Sequence, residues 1–291
     1  MPAMTLLESA KLSTDVVRRG VIRVIGERTP IIPLLPMRRI KGNAYTYNLE
    51  SALPGIAFRA VGDTYPRSTH VINPQTERLS IMGGEVFIDN FQIRTQGNLG
   101  DVKAAAYTAK AKALGLIFSE KFFEADSASN LKEFDGLRVR ITGTNVLTAG
   151  GNGAALTLDM VDQLIDTVAG HGTDAHIFTN QTLRRKITKL GRDQSGGSLL
   201  DTGNAAFGKQ VVMYAGVPIH IIERVDDAST FLGFDETQGS SNETSSMYIV
   251  RFGEDYVQGL EGEGGSMEVK DFGETEAAAE RNGKRTFQSN W

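Results

Sequence analysis

The chain has 291 residues, 40% of them hydrophobic and 23% charged, with a formal net charge of −4 and no cysteine. A chain of this length buries about three quarters of its unfolded surface, as one large domain or two modest ones. The missing cysteines exclude disulfides, thiolate metal sites, iron–sulfur clusters and cysteine nucleophiles, and they fit a reducing compartment.

The small net charge hides a split. Residues 1–45 carry eight basic groups (Lys11, Arg18, Arg19, Arg23, Arg28, Arg38, Arg39, Lys41) against Glu8, Asp15 and Glu27. Residues 223–280 carry fifteen acids against Arg224, Arg251 and Lys270. Such a chain can attract copies of itself, or simply solvate two separate surfaces. No charged leader precedes an apolar run at the N-terminus, and no run approaches the ~20 residues that span a bilayer. The expectation is a soluble, cytoplasmic protein without a membrane partner.

Residues 4–25 alternate polar and apolar at helical spacing, with Leu7, Val17, Val21 and Val24 on one side. TPIIPLLPM follows, its prolines at 30, 33 and 36. That spacing predicts an extended apolar arm lying on its own core or on a neighbouring subunit. AYTYNLES (44–51) reads as strand, as does ERLSIMGGEVFIDNFQIRT (77–95), broken at Gly83-Gly84. The long proline- and glycine-punctuated segment between them predicts a projecting hairpin.

GDVKAAAYTAKAKALGLIFSEKFFEAD (100–126) is the clearest helix, apolar on most sides. Lys103, Lys110 and Lys121 fall in one row, either a solvated stripe or a weak contact for nucleic acid. EFDGLRVRITG (133–143) reads as turn then strand. A helix opens after Leu156, with Thr157 as N-cap, Asp159 in the first turn and Leu156 stapled to Val161. DAHIFTN (174–180) is a short buried strand, and Asn180 caps QTLRRKITKL, which Gly191 ends. VVMYAGVPIHII (211–222) is strand, a break at Gly216, then strand; SMYIVRF and DYVQGLEG are strands before an acidic, glycine-rich tail.

Chemistry is sparse. TAGGNGAAL (148–156) has glycines at 150, 151 and 153 but no lysine from Gly143 to Met160, so it lacks what a P-loop uses to reach phosphate. The dinucleotide fingerprint needs a third glycine where Leu156 stands. The better reading is a hinge at Gly150, Gly151 and Gly153. His70, His171, His176 and His220 lack carboxylates at metal-ligand spacing and read as surface or core residues. No nucleophile elbow is present. The cluster Arg184, Arg185, Lys186, Lys189 and Arg192 reads as a solvated helix face or an anion site. No catalytic residue, cofactor or metal is expected.

In order, these parts resemble the major capsid protein of tailed bacteriophages, the coat fold named after phage Hong Kong 97. Residues 1–42 resemble its N-arm, 43–95 its E-loop hairpin and 96–150 its peripheral domain, with 100–126 as spine helix. Residues 151–235 resemble its axial domain, and 236–291 its late strands and tail, where Gly253, Glu254, Asp255 and Tyr256 match a "G-acidic…Tyr" stretch.

The resemblance implies an α+β fold and a structural, non-enzymatic role. Subunits would form pentamers and hexamers that close into an icosahedral head around double-stranded DNA. They would assemble in the host bacterial cytoplasm and reside in the virion capsid. Implied partners are a portal, a separate scaffolding protein, a cement or decoration protein, and packaged DNA held without sequence preference. The glycine loop falls between peripheral and axial domains, as a hinge would. Arg59 and Arg67 in the loop, and Arg18, Arg19, Arg23 and Arg28 in the arm, are the expected inter-subunit contacts. Some relatives crosslink through a loop lysine; Gly42 to Gly100 contains none here, so no such crosslink is expected. An encapsulin-type nanocompartment shell, and more distantly a soluble enzyme with a lid at residues 53–74, remain as alternatives.

Overall fold

The computed structural model describes residues 29–86, 99–168, 174–193, 200–204, 210–222, 232–263, 268–271 and 285–290. The helical reading of residues 4–25, His171 and the arm arginines 18, 19, 23 and 28 lie outside them.

Strand β1 (Met37–Ile40) follows the proline segment; β2 (Ala44–Ala52) and β3 (Val71–Arg78) form an antiparallel ribbon, and β4 (Ile81–Val86) leaves it for another sheet. Helix α1 (Leu99–Glu124) and the single-turn helix α2 (Leu137–Arg140) come next, then α3 (Leu158–Asp166), β5 (Ala175–Thr179) and α4 (Gln181–Asp193). Strands β6 (Leu200–Asn204), β7 (Gln210–Tyr214), β8 (Val217–Ile221), β9 (Glu236–Gln238), β10 (Ser241–Thr244), β11 (Tyr248–Arg251), β12 (Gly259–Gly262), β13 (Glu268–Asp271) and β14 (Arg285–Asn290) complete the chain.

The centre is a five-stranded sheet of order β11-β5-β8-β7-β6, mixed in direction, with β5 and β8 parallel. Successive side chains on a strand point to opposite faces, and this sheet is apolar on both. Ala175, Ile177, Val217 and Ile219 pack with Leu158, Val161 and Ile165 of α3 and Ile187 of α4. Phe178, Tyr248 and Val250 point the other way, into a core with Phe118, Phe122 and Phe123 of α1. Phe123 meets the Phe178 and Tyr248 rings at 5.7 and 5.1 Å.

The proline segment belongs to that second core. Ile31, Ile32 and Leu35 are 0–2% exposed and pack with Ala111, Leu114 and Phe118. Between the two openings the sequence left, this part of the chain takes its own core. It is also folded rather than extended: Leu34 N and Leu35 N both donate to the Ile31 carbonyl at 2.9 Å. Pro33 sits inside that turn, where its missing N–H is not required. Thr29 Oγ1 fastens the segment by donating to the buried Gly115 carbonyl at 3.1 Å.

Four local expectations change. LRVRI is helical, because Gly136 O accepts from Val139 N and Arg140 N, and Leu137 O accepts from Ile141 N. Its alternation mimics a strand, yet Leu137 and Ile141, four apart, are the pair turned to the core, while Val139 is exposed. β4 runs unbroken through Gly83-Gly84; the break falls at Leu79-Ser80, and Gly84 leaves room for the Lys110 side chain. Lys110 and Lys121 are therefore not a solvated stripe: both are half-buried, and Lys121 Nζ meets Glu133 at 2.8 Å. Gly191 lies buried within α4, which continues to Asp193. The Gly216 break is a two-residue hairpin turn in which Ala215 and Gly216 have φ of 49° and 80°.

The expected caps form. Thr157 Oγ1 accepts from Met160 N at 3.3 Å, and Asn180 Oδ1 accepts from Leu183 N at 2.8 Å. Asn180 Nδ2 donates to Leu232 O and Ser245 Oγ, tying α4 to the chain before β11.

Two buried polar contacts carry consequences. β1 pairs with β12 in parallel, and Arg39 Nε donates to Glu261 Oε1 at 2.7 Å; Glu261 is 4% exposed, while Arg39 is open to solvent. Arg39→Met should destabilise the fold by about 1–3 kcal/mol in urea unfolding, because a buried carboxylate loses its partner. The double variant with Glu261→Met should recover most of it; equal stability of Arg39→Met and the parent would refute the clamp.

His176 Nδ1 and His220 Nε2 lie 3.0 Å apart on β5 and β8. Burial holds each ring's pKa down, to about 4; nearby Asp174 opposes this at His176, and His176 adds to it at His220. With folded values below the ordinary 6.5, the unfolded chain binds more protons between them. The pair's contribution to stability is thus complete above pH 6.5 and falls as pH drops toward 4. Melting temperature against pH should show this loss, flattened in His220→Gln; an unchanged slope in the variant would count against the pair.

Candidate functional site

The ribbon of β2 and β3 stands off the body. Among its described residues at 44–49 and 71–78, side chains are exposed on both faces apart from Tyr45 and Glu77. A two-stranded ribbon is marginal in water on its own, so its base must be fixed. Leu79 N donates to Asn43 O at 2.9 Å and closes the base. Glu77 takes a bidentate contact from Arg140, with Nη2 to Oε2 at 2.6 Å and Nη1 to Oε1, while Arg140 Nε donates to Asp135 O at 2.7 Å. The Glu77 bond is the main influence raising the Arg140 guanidinium's pKa above its ordinary value, with burial opposing it. The Arg38 guanidinium lies over the Tyr45 ring at 4.8 Å. The helical turn of α2 aims Arg140 at the ribbon, so the misread segment is the ribbon's anchor.

The tip is ordered by its own polar groups. Gly55 N donates to Ser68 Oγ at 2.7 Å across the two limbs. Ala60 N donates to Asp63 Oδ2 and Asp63 N to Ala60 O, making a tight turn with Gly62 at φ 97°. Arg59 lies over the Tyr65 ring at 5.0 Å and donates to Asp63 O. Arg67 is exposed.

The tip's apolar side chains face water. Ile56 is 96% exposed, Phe58 107% and Val61 104%. Covering each of these is worth about 1.5–3 kcal/mol. Single exposed apolar residues are ordinary; several on one ordered protrusion mark a contact surface.

The glycine loop is docked. Gly150 and Gly153 have φ of 74° and 79°, and a Cβ on Gly153 would press on Thr244 Cγ2. Asn152 Oδ1 accepts from Ser240 N at 3.1 Å, holding the loop to the hairpin of β9 and β10. Among the described residues, no group of three or more His, Asp or Glu is placed to hold a metal.

No family model matches the sequence, and no curated protein does. Solved structures do match. The holo-SrpI encapsulin complex from Synechococcus elongatus aligns with 99% of this chain and 90% of its own, at TM-score 0.63 and 14% identity. The capsid of a native GTA particle aligns with 90% of this chain and 84% of its own, at TM-score 0.59 and 13% identity. Microbacterium phage Oxtober96 gives 90% and 83%, at TM-score 0.58 and 16% identity. The chain has the Hong Kong 97-type coat fold.

Of the residues expected at contacts in that coat fold, Arg59 and Arg67 lie on the protruding tip. Reading the sequence missed Arg140, Glu77 and the buried Arg39–Glu261 pair, because each joins distant segments. Alternating Ile56 and Phe58 beside Pro54 was the available signal for the tip. Removing the anchor with Arg140→Met should cost only about 1 kcal/mol, since the pair is partly solvated. It should nevertheless speed hydrogen exchange in 44–52 and 71–78 while leaving 111–123 protected; unchanged ribbon protection would refute the anchor.

Proposed function

We propose that this chain is the major capsid subunit of a tailed phage, forming pentamers and hexamers that close into an icosahedral head around double-stranded DNA. The observation that carries this is the coat fold bearing an ordered ribbon with uncovered Ile56, Phe58 and Val61. A lone subunit gains nothing from that exposure, whereas a neighbour removes it from water. The GTA and phage matches support the viral reading. The role is structural, and the subunit needs no cofactor.

The basic groups of residues 1–28 face acidic neighbours or packaged phosphate in this reading, with contacts that weaken as salt rises. Gly150, Gly151 and Gly153 act as a hinge only once Asn152 releases Ser240. A portal and a separate scaffolding protein are the partners this reading implies, with a cement or decoration protein as a further one. A second reading, an encapsulin-type shell enclosing protein, is favoured by the near-complete alignment with the SrpI complex.

Electron cryomicroscopy of assembled particles separates them. DNA-filled, genome-sized heads with a portal vertex are expected; small shells packed with protein would establish the second reading. A discrete small oligomer at all concentrations would overturn both. Ile56→Ser/Phe58→Ser should leave the melting temperature of the free subunit unchanged while abolishing most particle yield. Boiled particles should run as single subunits on denaturing gels, because residues 43–99 contain no lysine; covalent multimers would contradict this.

A further inference from the structure

Helix α4 carries five cations and one acid. Arg184, Arg185, Lys186, Lys189 and Arg192 stand against Asp193 alone, in a chain whose net charge is −4. Ile187 and Gly191 are buried and Leu190 packs on the helical core, which fixes the side of the helix that meets the sheet. At 3.6 residues per turn, Arg185, Lys189 and Arg192 fall within about 60° of one another on the opposite side. All three are exposed, and the half-buried Arg184 and Lys186 flank the row on its two sides. The row runs for about 10 Å along the helix axis.

Nothing in the helix itself accounts for this placement. Arg184 and Arg185 sit near the N-terminal end, where the macrodipole is positive and acids are favoured, and the first turn holds no acid. Arg185 and Lys189, four apart, and Lys189 and Arg192, three apart, are like-charge neighbours that repel. Among the described residues no ion pair offsets them. The adjoining α3 does not supply one: Asp162 accepts from Tyr214 Oη at 2.8 Å, and Asp159 from Gln163 Nε2 at 3.0 Å. Arg185 makes a single long contact, Nη2 to Thr182 Oγ1 at 3.4 Å.

The row therefore keeps a standing repulsion that an evenly charged polyanion removes. Double-stranded DNA carries one negative charge per ~1.7 Å of its axis. The exposed acids Asp235, Glu243, Glu254 and Asp255, by contrast, stand on separate elements rather than in a row. The basic face also has no aromatic side chain on which an unpaired base would stack, which favours a duplex over a single strand.

We propose that the outward row of α4 is a docking surface for double-stranded DNA, with Arg185, Lys189 and Arg192 meeting backbone phosphates and Arg184 and Lys186 widening the positive field. Contacts of this kind position the duplex without reading its sequence. The inference rests on the phage-head reading for the source of the DNA, and adds to it which face of the subunit turns toward that DNA.

The test uses the full-length free subunit and a labelled random-sequence duplex, with anisotropy read across a salt series. Arg185→Gln/Lys189→Gln/Arg192→Gln should bind about tenfold more weakly at low salt, and should flatten the slope of log affinity against log salt by about 2–3, since each lost phosphate contact removes ~0.9. Its melting temperature should match the parent's, and Lys189→Gln alone should flatten the slope by about one. Lys132→Gln, exposed on another loop, and the charge-keeping Arg185→Lys/Arg192→Lys should both retain the parent's slope. A triple variant with the parent's slope overturns the proposal; if it also loses particle yield, the row meets an acidic surface of another copy instead. Assembly is scored separately. Parent heads that form while the free subunit binds no duplex would overturn the α4 surface and leave the head reading intact. Parent subunits that never assemble, yet show the slope change, would remove the head reading and leave duplex binding by α4 standing.

Discussion

The subunit depends on one sheet being apolar on both faces. β5 sets this out residue by residue: Ala175 and Ile177 face α3 and α4, while His176 and Phe178 face the aromatic core on α1. Slipping β5 by one residue would drive His176 into the helical side and Ile177 into the rings. The register shared with β8 and β11 is therefore strongly fixed. This sheet lies between the two cores and joins them.

The ribbon follows the opposite logic. It buries almost nothing, keeps both faces wet and leans on Arg140, Leu79 and the Tyr45 stack for its direction. Order without burial is what a surface prepared for a partner looks like: the conformational cost of binding is reduced beforehand. The turn at Ala60–Asp63 and the Gly55–Ser68 bridge do this at the tip. The glycine loop shows a related compromise, since backbone shapes that suggest freedom are pinned by Asn152 and Thr244.

Local signals in the sequence reported faithfully where local physics decides. Thr157 and Asn180 cap the helices they precede, the Ala-rich segment is helical, and DAHIFTN is a buried strand, because caps and strong periodicity act within a few residues. LRVRI misled because Leu137, Val139 and Ile141 satisfy a two-residue period and, through 137 and 141, a helical one. The nearby Asp135 carbonyl and distant Glu77, both holding Arg140, favour the helical alternative. The proline segment misled in shape and not in place: it lies on its own core, one of the two places expected, but turns at Ile31–Leu35 rather than running extended. The histidine pair and Glu261 are invisible because a parallel strand pairing brings together residues that share no local pattern. The ribbon was legible.

The parallel pairing of β1 with β12 also bears on synthesis. Residues 29–40 leave the ribosome early, yet Ile31, Ile32 and Leu35 share their core with Tyr248, Val250 and Phe252, and Arg39 waits for Glu261. Contacts that distant in sequence form late and slowly. A nascent chain must therefore hold a greasy segment and an aromatic helix face open until nearly all of it has been made. Truncated chains lack the closing strand altogether. Only a chain that has reached Gly262 can therefore close the body from which the ribbon projects.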